Sequence, residues 1–419
     1  MRSGLSFVHS HLAIRPGAIP GWVRSARIGW RHTIAAFGLS FGLQSAVAAP
    51  DPIRIGLLTV DSGSFAFMQA YFLDAAKLAV DNFNAEGGIL GRKVELVVHS
   101  HAGTPASALA AATRMVQQEK VTLLTGFLST PMAIALGPKM ESLGAILLDS
   151  STVSDDAISK SCQSHYFHLS NPDSQRMKAL ERLIKESGVK SWNMIAADYS
   201  MGHNARKQFE TTIKEGGSQL KTVVFQPLGT TDFGSQINQL AASAVEGLVV
   251  AVPGSDAIIL AKQQKQFGLF KQYKTVIGLG FTDDVGMAGQ GDTTVGTYMV
   301  QGWHHELAGD RVARFVKQYR ERYSRNPAYM DAETFSAYEL LRLSIQKAGG
   351  TDVKKVRDAL ATIRGTTVLG DVYMRPDHQL MRPLVVGKIE PEGPGKGRVA
   401  LIRQETAEST APPQVLTCN

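Results

Sequence analysis

The chain has 419 residues, 44% of them hydrophobic and 19% charged, with 40 Gly and 17 Pro. That balance excludes a disordered chain, a collagen and a simple coiled coil, and the length suits two or three domains of roughly 150 residues. The net charge is +7, from 44 Lys+Arg against 37 Asp+Glu, but Arg2, Arg15, Arg24, Arg27 and Arg31 all fall in residues 1–49, which hold no Asp or Glu; without those five the chain stands at +2. A nearly neutral body carries no electrostatic footprint for nucleic acid.

The chain opens on an address. Arg31 precedes the apolar run Thr33–Leu43, and Gln44–Pro50 follows with Ala46, Val47 and Ala48 in an Ala-x-Ala pattern. A basic start, an apolar run and small residues at a cleavage site predict a secretory signal peptide over residues 1–49. A membrane anchor is the alternative, but eleven apolar residues fall short of the about 20 needed to cross a bilayer. There is no Cys at the cleavage site to carry a lipid, and no later run of about 18 apolar residues. The expected mature protein does not span a membrane and lies in a periplasm or outside the cell. The two cysteines, Cys162 and Cys418, are expected to pair in such a compartment. Two unrelated thiols are the alternative; a metal site is disfavoured because neither has a partner at ligand spacing.

From Ile53 the pattern alternates strands and helices. Ile53–Val60 predicts a strand, and Gln69–Glu86 a helix with Phe72, Ala75, Ala76, Ala79, Val80 and Phe83 on one stripe, stopped by Gly87-Gly88. Val94–Val98 is a strand; Thr104-Pro105 caps a helix to Glu119; Val121–Thr125 is a strand; Thr130-Pro131 opens a helix; Ala145–Leu148 is a fourth strand. After an extended piece at His165–Leu169, Asn171-Pro172 starts a second series. Its strands are Trp192–Ala197, Leu220–Gln226, Gly247–Val252 and Thr275–Leu279, separated by helices at Gly202–Glu215, Phe233–Ala242 and Ser255–Phe267. Such alternation implies parallel sheets covered on both faces. Beyond Val295–Val300 the alternation breaks. Helices at Arg311–Tyr323, Ala332–Ala348 and Asp352–Thr362 precede late strands at Thr367–Met374, Leu384–Glu390 and Val399–Arg403 and a polar tail. The late helices are expected to return to the first unit.

Catalytic and cofactor motifs are missing: no G-x-S-x-G, H-E-x-x-H, G-x-x-x-x-G-K-[ST] or strand-borne G-x-G-x-x-G occurs. Gly393–Gly397 has the glycines of a phosphate loop but reads as a surface turn. His99/His101 and His304-His305 lack a third metal ligand at suitable spacing, and adjacent His on a strand face opposite ways. No cofactor or metal is therefore expected. Ligands of open α/β sheets sit beyond the carboxyl ends of strands. In the first unit those ends carry Ser64 and Phe65, Phe127, Ser129 and Thr130, and Ser150 and Ser151. Thr130-Pro131 starts a helix, whose free N–H groups suit a carboxylate or another acceptor. In the second unit the ends carry Tyr199, Ser255, Phe281 and Asp283. Asp283 either holds a ligand ammonium or caps a helix.

Four segments carry a resemblance. They are Ile53–Leu58 (IRIGLL), Asn84–Arg92 (NAEGGILGR), Asp198–Gly202 (DYSMG) and Arg375–Leu380 (RPDHQL). Over residues 52–403 the chain resembles the periplasmic type I solute-binding proteins of ABC importers, in the branch of leucine/isoleucine/valine-binding and amide/urea-binding proteins. The resemblance implies an α/β fold of two Rossmann-like lobes with parallel central sheets, joined by a three-crossing hinge. Lobe 1 would comprise residues 50–170 and about 301–350, lobe 2 residues 171–300 and about 351–403, with a tail at 404–419. The crossings would lie near Leu169–Pro172, Val300–Trp303 and Gly349–Thr351 or somewhat later. Ser129, Thr130, Ser150 and Ser151 would hold the ligand from lobe 1, and Tyr199, Phe281 and Asp283 from lobe 2. The implied protein is no enzyme; it is a monomer that delivers a small-molecule solute to ABC permease subunits. Where amino-acid binders of the family have a Thr for the α-amino group, Val153 stands here, so the ligand remains open between an amino acid, an amide and a small organic or aromatic acid. A periplasmic ligand sensor of the same fold and an α/β enzyme are the rival functions.

Overall fold

The computed structural model describes residues 50–159, 163–414 and 418; the signal-peptide expectation and Cys162 lie outside them. In the first lobe, β1 (Ile53–Val60), β2 (Val94–His101), β3 (Leu123–Gly126), β4 (Ile146–Asp149) and β5 (Tyr166–His168) form a sheet in the order β2-β1-β3-β4-β5. All of its pairings are parallel. β1 is buried along almost its whole length, as a strand covered on both faces must be. The helix Gln69–Ala85 buries the predicted stripe. It ends where Gly87 and Gly88 take φ of +92° and +82°, a region open to glycine without strain. Thr104 caps the helix Pro105–Gln117, its side chain accepting from Ser107 N at 3.2 Å.

The second lobe begins with β6 (Ser191–Ala197), β7 (Gln219–Gln226), β8 (Gly247–Ala251), β9 (Thr275–Gly278) and β10 (Tyr298–Gln301). Later come a small antiparallel sheet of β11 (Arg364–Thr367), β12 (Gly370–Met374) and β13 (Leu380–Met381), and then the hairpin of β14 (Leu384–Gly393) and β15 (Lys396–Glu405). The hairpin completes a seven-stranded sheet, β15-β14-β10-β9-β8-β6-β7, pairing antiparallel with β10. Gly393–Gly397 is the hairpin's tip, with φ of +141° at Gly393 and +70° at Gly395.

The late helices do return to the first lobe. Tyr329–Ala348 packs along Gln69–Ala85, and Phe315, Tyr319, Phe335, Tyr338 and Leu341 share one core with Phe72 and Ile55. The return runs further than the sequence suggested. Gly349 (φ +69°) only ends a helix, and Val356, Leu360, Val372 and Leu380 join the same first-lobe core. The third crossing therefore lies at residues 381–384, and the segment expected in lobe 2 divides: 353–381 packs on the first lobe and 384–405 on the second. The single strand expected at Thr367–Met374 is a hairpin, turned at Gly370 (φ +95°).

Arg382 stands at that third crossing, fully buried. Its Nε donates to Leu169 O (3.0 Å) at the first crossing and its Nη1 to Gly302 O (3.1 Å) at the second. Nη2 pairs with the buried Glu333 carboxylate, which also accepts from Ser170 Oγ at 3.2 Å. A Cβ on Gly302 would collide with this guanidinium and with Glu333. Arg382→Met leaves Glu333 buried and uncompensated and is expected to destabilise the fold by about 3–5 kcal/mol in urea denaturation. Arg398→Met, which breaks an exposed pair with Glu390, is expected to change stability by no more than about 1 kcal/mol.

Candidate functional site

The carboxyl ends of the two sheets meet across a cleft, and the lobes touch around it. Ser64 Oγ of the first lobe donates to Asp256 Oδ1 of the second at 3.1 Å. A Cβ on Gly254 would lie 2.8 Å from Ser64 O and 3.2 Å from the Phe65 ring. Gly254 also holds φ +73°, so glycine is required there twice over. Tyr71 OH donates to Val285 O at 3.4 Å. Near the hinge, Asp155 accepts from Ser174 N (3.1 Å) and Asn204 Nδ2 (2.9 Å), and Asp173 N donates to Val153 O (2.7 Å). The lobes are closed.

On the first lobe, Ser129 is half-buried and its side chain makes no capping bond to the helix Thr130–Leu136, while Thr130 is buried. Ser150 is fully buried, and its Oγ has no hydrogen-bond partner among the described residues. Phe65 and Phe127 lie with ring centroids 5.3 Å apart; Phe127 also meets Phe72 and His101, and so forms a wall anchored in the core. On the second lobe, Tyr199 precedes the helix Ser200–Glu215, and burial raises its hydroxyl well above the ordinary range. In its Asp-x-x-x-Gly turn, a Cβ on Gly202 would strike Ala197 O, so helix and strand approach closely only with glycine there.

The structure employs other expected contacts differently. The Ser151 hydroxyl donates to Leu128 O (2.8 Å) and accepts from Leu128 N (2.7 Å), joining two loops. Phe281 points into the second lobe's core against Phe270, centroids 5.8 Å apart. Asp283 Oδ1 accepts from Val285 N (3.1 Å) and Gly286 N (2.8 Å), so it caps its own turn; burial raises its pKa. Ser64 latches to Asp256, and Ser255 Oγ lies 3.4 Å from the same carboxylate.

Sequence reasoning missed several cleft groups. Asp173, pushed up to about 7 chiefly by burial, accepts from Asn204 Nδ2 at 2.8 Å. Arg176 is buried in the first turn of the helix Asp173–Ser187. Its signal was a cation at the head of the apolar stripe Leu180, Leu183 and Ile184, at helical spacings of four, seven and eight.

Outside the cleft, His99 and His101 have structural partners, Glu119 and Phe127 O. His304 and His305 do not face opposite ways as expected, since the strand ends at Gln301. Their ring centroids are 4.2 Å apart, and with Asp284 they bring ligand atoms within 4.8 Å of one another. Burial pulls His304 down to about 3. No helix among the described residues is long and apolar enough to cross a membrane.

A family model described as periplasmic binding protein matches residues 52–396. The chain belongs to that family. Among its relatives, a Leu/Ile/Val-binding protein homolog of Brucella melitensis is 24% identical over 348 residues, covering 80% of this chain and 87% of the relative. A periplasmic binding protein from Burkholderia mallei superposes with a TM-score of 0.79 at 21% identity, covering 88% of this chain and 98% of the other. The solute-binding protein of an ABC transporter from Rhodopseudomonas palustris, solved with 3,4-dihydroxybenzoic acid, has a TM-score of 0.78 at 20% identity, over 85% and 98% of the two chains. These likenesses establish the two-lobed type I periplasmic binding protein fold.

The lobes meet at Gly254, where a Cβ has no room. Gly254→Ala is expected to hold the lobes apart, giving a larger radius of gyration in solution scattering at unchanged secondary structure. An unchanged radius would show that Gly254 does not govern closure.

Proposed function

We propose that the chain is exported, works as a monomer in the periplasm, and captures a small polar solute between its lobes for delivery to ABC permease subunits. The reading is supported most by the enclosed Ser150 hydroxyl, a polar group beyond a strand's carboxyl end that no atom of the described residues satisfies. Other buried hydroxyls lack partners too, Tyr338 and Ser344 among them, but Ser150 follows a strand's carboxyl end, where a ligand of an open α/β sheet is expected. Ser129 and Thr130 follow the adjacent strand β3, and Tyr199 would meet the solute from the second lobe. The relatives are binding proteins, and the solute is expected to leave unaltered.

A thermal-shift screen over amino acids, amides, ureas and carboxylates tests this. A hit should raise the melting temperature and be recovered chemically unchanged by mass spectrometry. Thr130→Ala should weaken it by about 1–3 kcal/mol if a buried hydrogen bond is lost. Turnover of the hit, or unchanged affinity in the variant, would overturn respectively the binding role or the place of Thr130 in the site.

We also infer that Cys162 and Cys418 are bonded. The segment 376–378 touches Cys418 and Gln163, the residue that follows Cys162 in the sequence: Cys418 N donates to Pro376 O at 2.6 Å, and His378 Nδ1 lies 3.2 Å from Gln163 O. The bond would tether the tail to the first lobe. The expectation is no titratable thiol in the native protein and a lower melting temperature after reduction, matched by Cys418→Ser. Two free thiols and an unchanged melt would exclude it.

A further inference from the structure

Three arginines are buried near the hinge, and they differ in one respect. Arg382 has two backbone carbonyls and Glu333. Arg375 has Asp377 and, from Nη1, Pro412 O at 2.7 Å. Arg176 is 4% exposed. Its Nε is enclosed without a partner, and among the described residues no hydrogen bond or ion pair reaches its guanidinium. A guanidinium offers five donors and does not give up its proton in proteins. An Nε–H shut away from water with no acceptor is unfavourable, and the two terminal nitrogens are left for an acceptor from outside the protein.

Its surroundings place it on the cleft. The helix Asp173–Ser187 leads directly out of the first crossing. A Cβ on Gly280, in the loop after β9, would lie 4.0 Å from Arg176 Nη1. Asp173, Asp283, Tyr329, Glu333 and Arg382 all feel its charge. Each of the three carboxylates has taken other donors: Asn204 for Asp173, the Val285 and Gly286 amides for Asp283, and Arg382 with Ser170 for Glu333. The charge is thus partly balanced at a distance while its hydrogen-bonding fork stays free. A planar fork with no protein acceptor matches a carboxylate in two parallel bonds.

We propose that the captured solute carries a carboxylate and that Arg176, on the second lobe, receives it, with Ser150 meeting the same solute from the first. The assignment rests on the solute-capture reading and narrows it. Neutral amides and ureas, open on sequence grounds, bring the fork no counter-charge and are expected to bind far more weakly than acids.

Matched pairs test it by calorimetry on the full chain: 3,4-dihydroxybenzoate and L-leucine, each against its neutral primary amide, with the wider screen run as such pairs. The acid of a binding pair is expected to bind at least 100-fold tighter than its amide. Arg176→Met should collapse that ratio toward one, and Arg176→Lys should restore part of it. Thr130→Ala should weaken acid and amide alike. A second readout needs no ligand: unliganded Arg176→Met should melt at or above the wild-type temperature, because an unmet charge is removed. An amide binding as tightly as its acid, an acid preference surviving in Arg176→Met, or a destabilised Arg176→Met would each overturn the assignment while leaving solute capture standing. No hit anywhere in the paired screen would overturn capture itself, and this assignment with it.

Discussion

One guanidinium holds the three crossings together. Arg382 sits on the third crossing and donates to carbonyls on the other two, while Glu333 supplies the counter-charge from the helix Tyr329–Ala348. Burial lowers the pKa of Arg382 and raises that of Glu333, and each is drawn back by the other. A hinge in this family must bend without exposing its backbone. Crossing segments are short of ladder partners, so their carbonyls need donors that travel with them. A side chain at the axis of rotation moves least when the lobes swing, so bonds anchored there can persist through opening. Gly302 follows from the same constraint, since any side chain at that point would enter the space the ion pair occupies.

The cleft is built on the opposite rule. Loops beyond the strand ends carry many hydroxyls, and the structure divides them into two kinds. Ser151 and Ser64 are satisfied by protein atoms and serve to join loops or lobes. Ser150 and Arg176 are enclosed and unsatisfied. The aromatic set divides likewise. Phe127 and Phe281 belong to the cores of their lobes, whereas Phe65 packs on Gly254 and takes part in closure.

Much of this was legible in the sequence because it is local. Helical stripes, the Gly87-Gly88 stop and the Thr104-Pro105 cap are decided within a few residues. Three things were not legible, each for a reason of distance. The third crossing was put near Gly349 because a helix-ending glycine resembles a boundary; only packing shows Val356 and Leu380 continuing the first core. Ser150 and Ser151 are neighbours of one residue type, and which hydroxyl is free depends on Leu128, on another strand's loop. Arg176 drew no reading from the sequence, because groups that feel its charge, Tyr329 and Glu333 among them, lie far along the chain.

The contrast between Arg382 and Arg176 carries the last step. A ligand can shift an open–closed equilibrium only by interacting differently with the two states. Hinge bonds that persist through the motion contribute equally to both and set no preference, however strong they are. Groups that lose water on closing and regain a partner only from the solute do the reverse. Without solute they oppose the closed state, and with it they favour that state. On the proposed assignment Arg176 and Ser150 are of this second kind, and selectivity for the solute and control of closure would then rest on the same atoms. That arrangement also explains why the satisfied network lies at the axis and the unsatisfied pair in the cleft: exchanging them would give a hinge that strains at every swing and a cleft that closes on nothing.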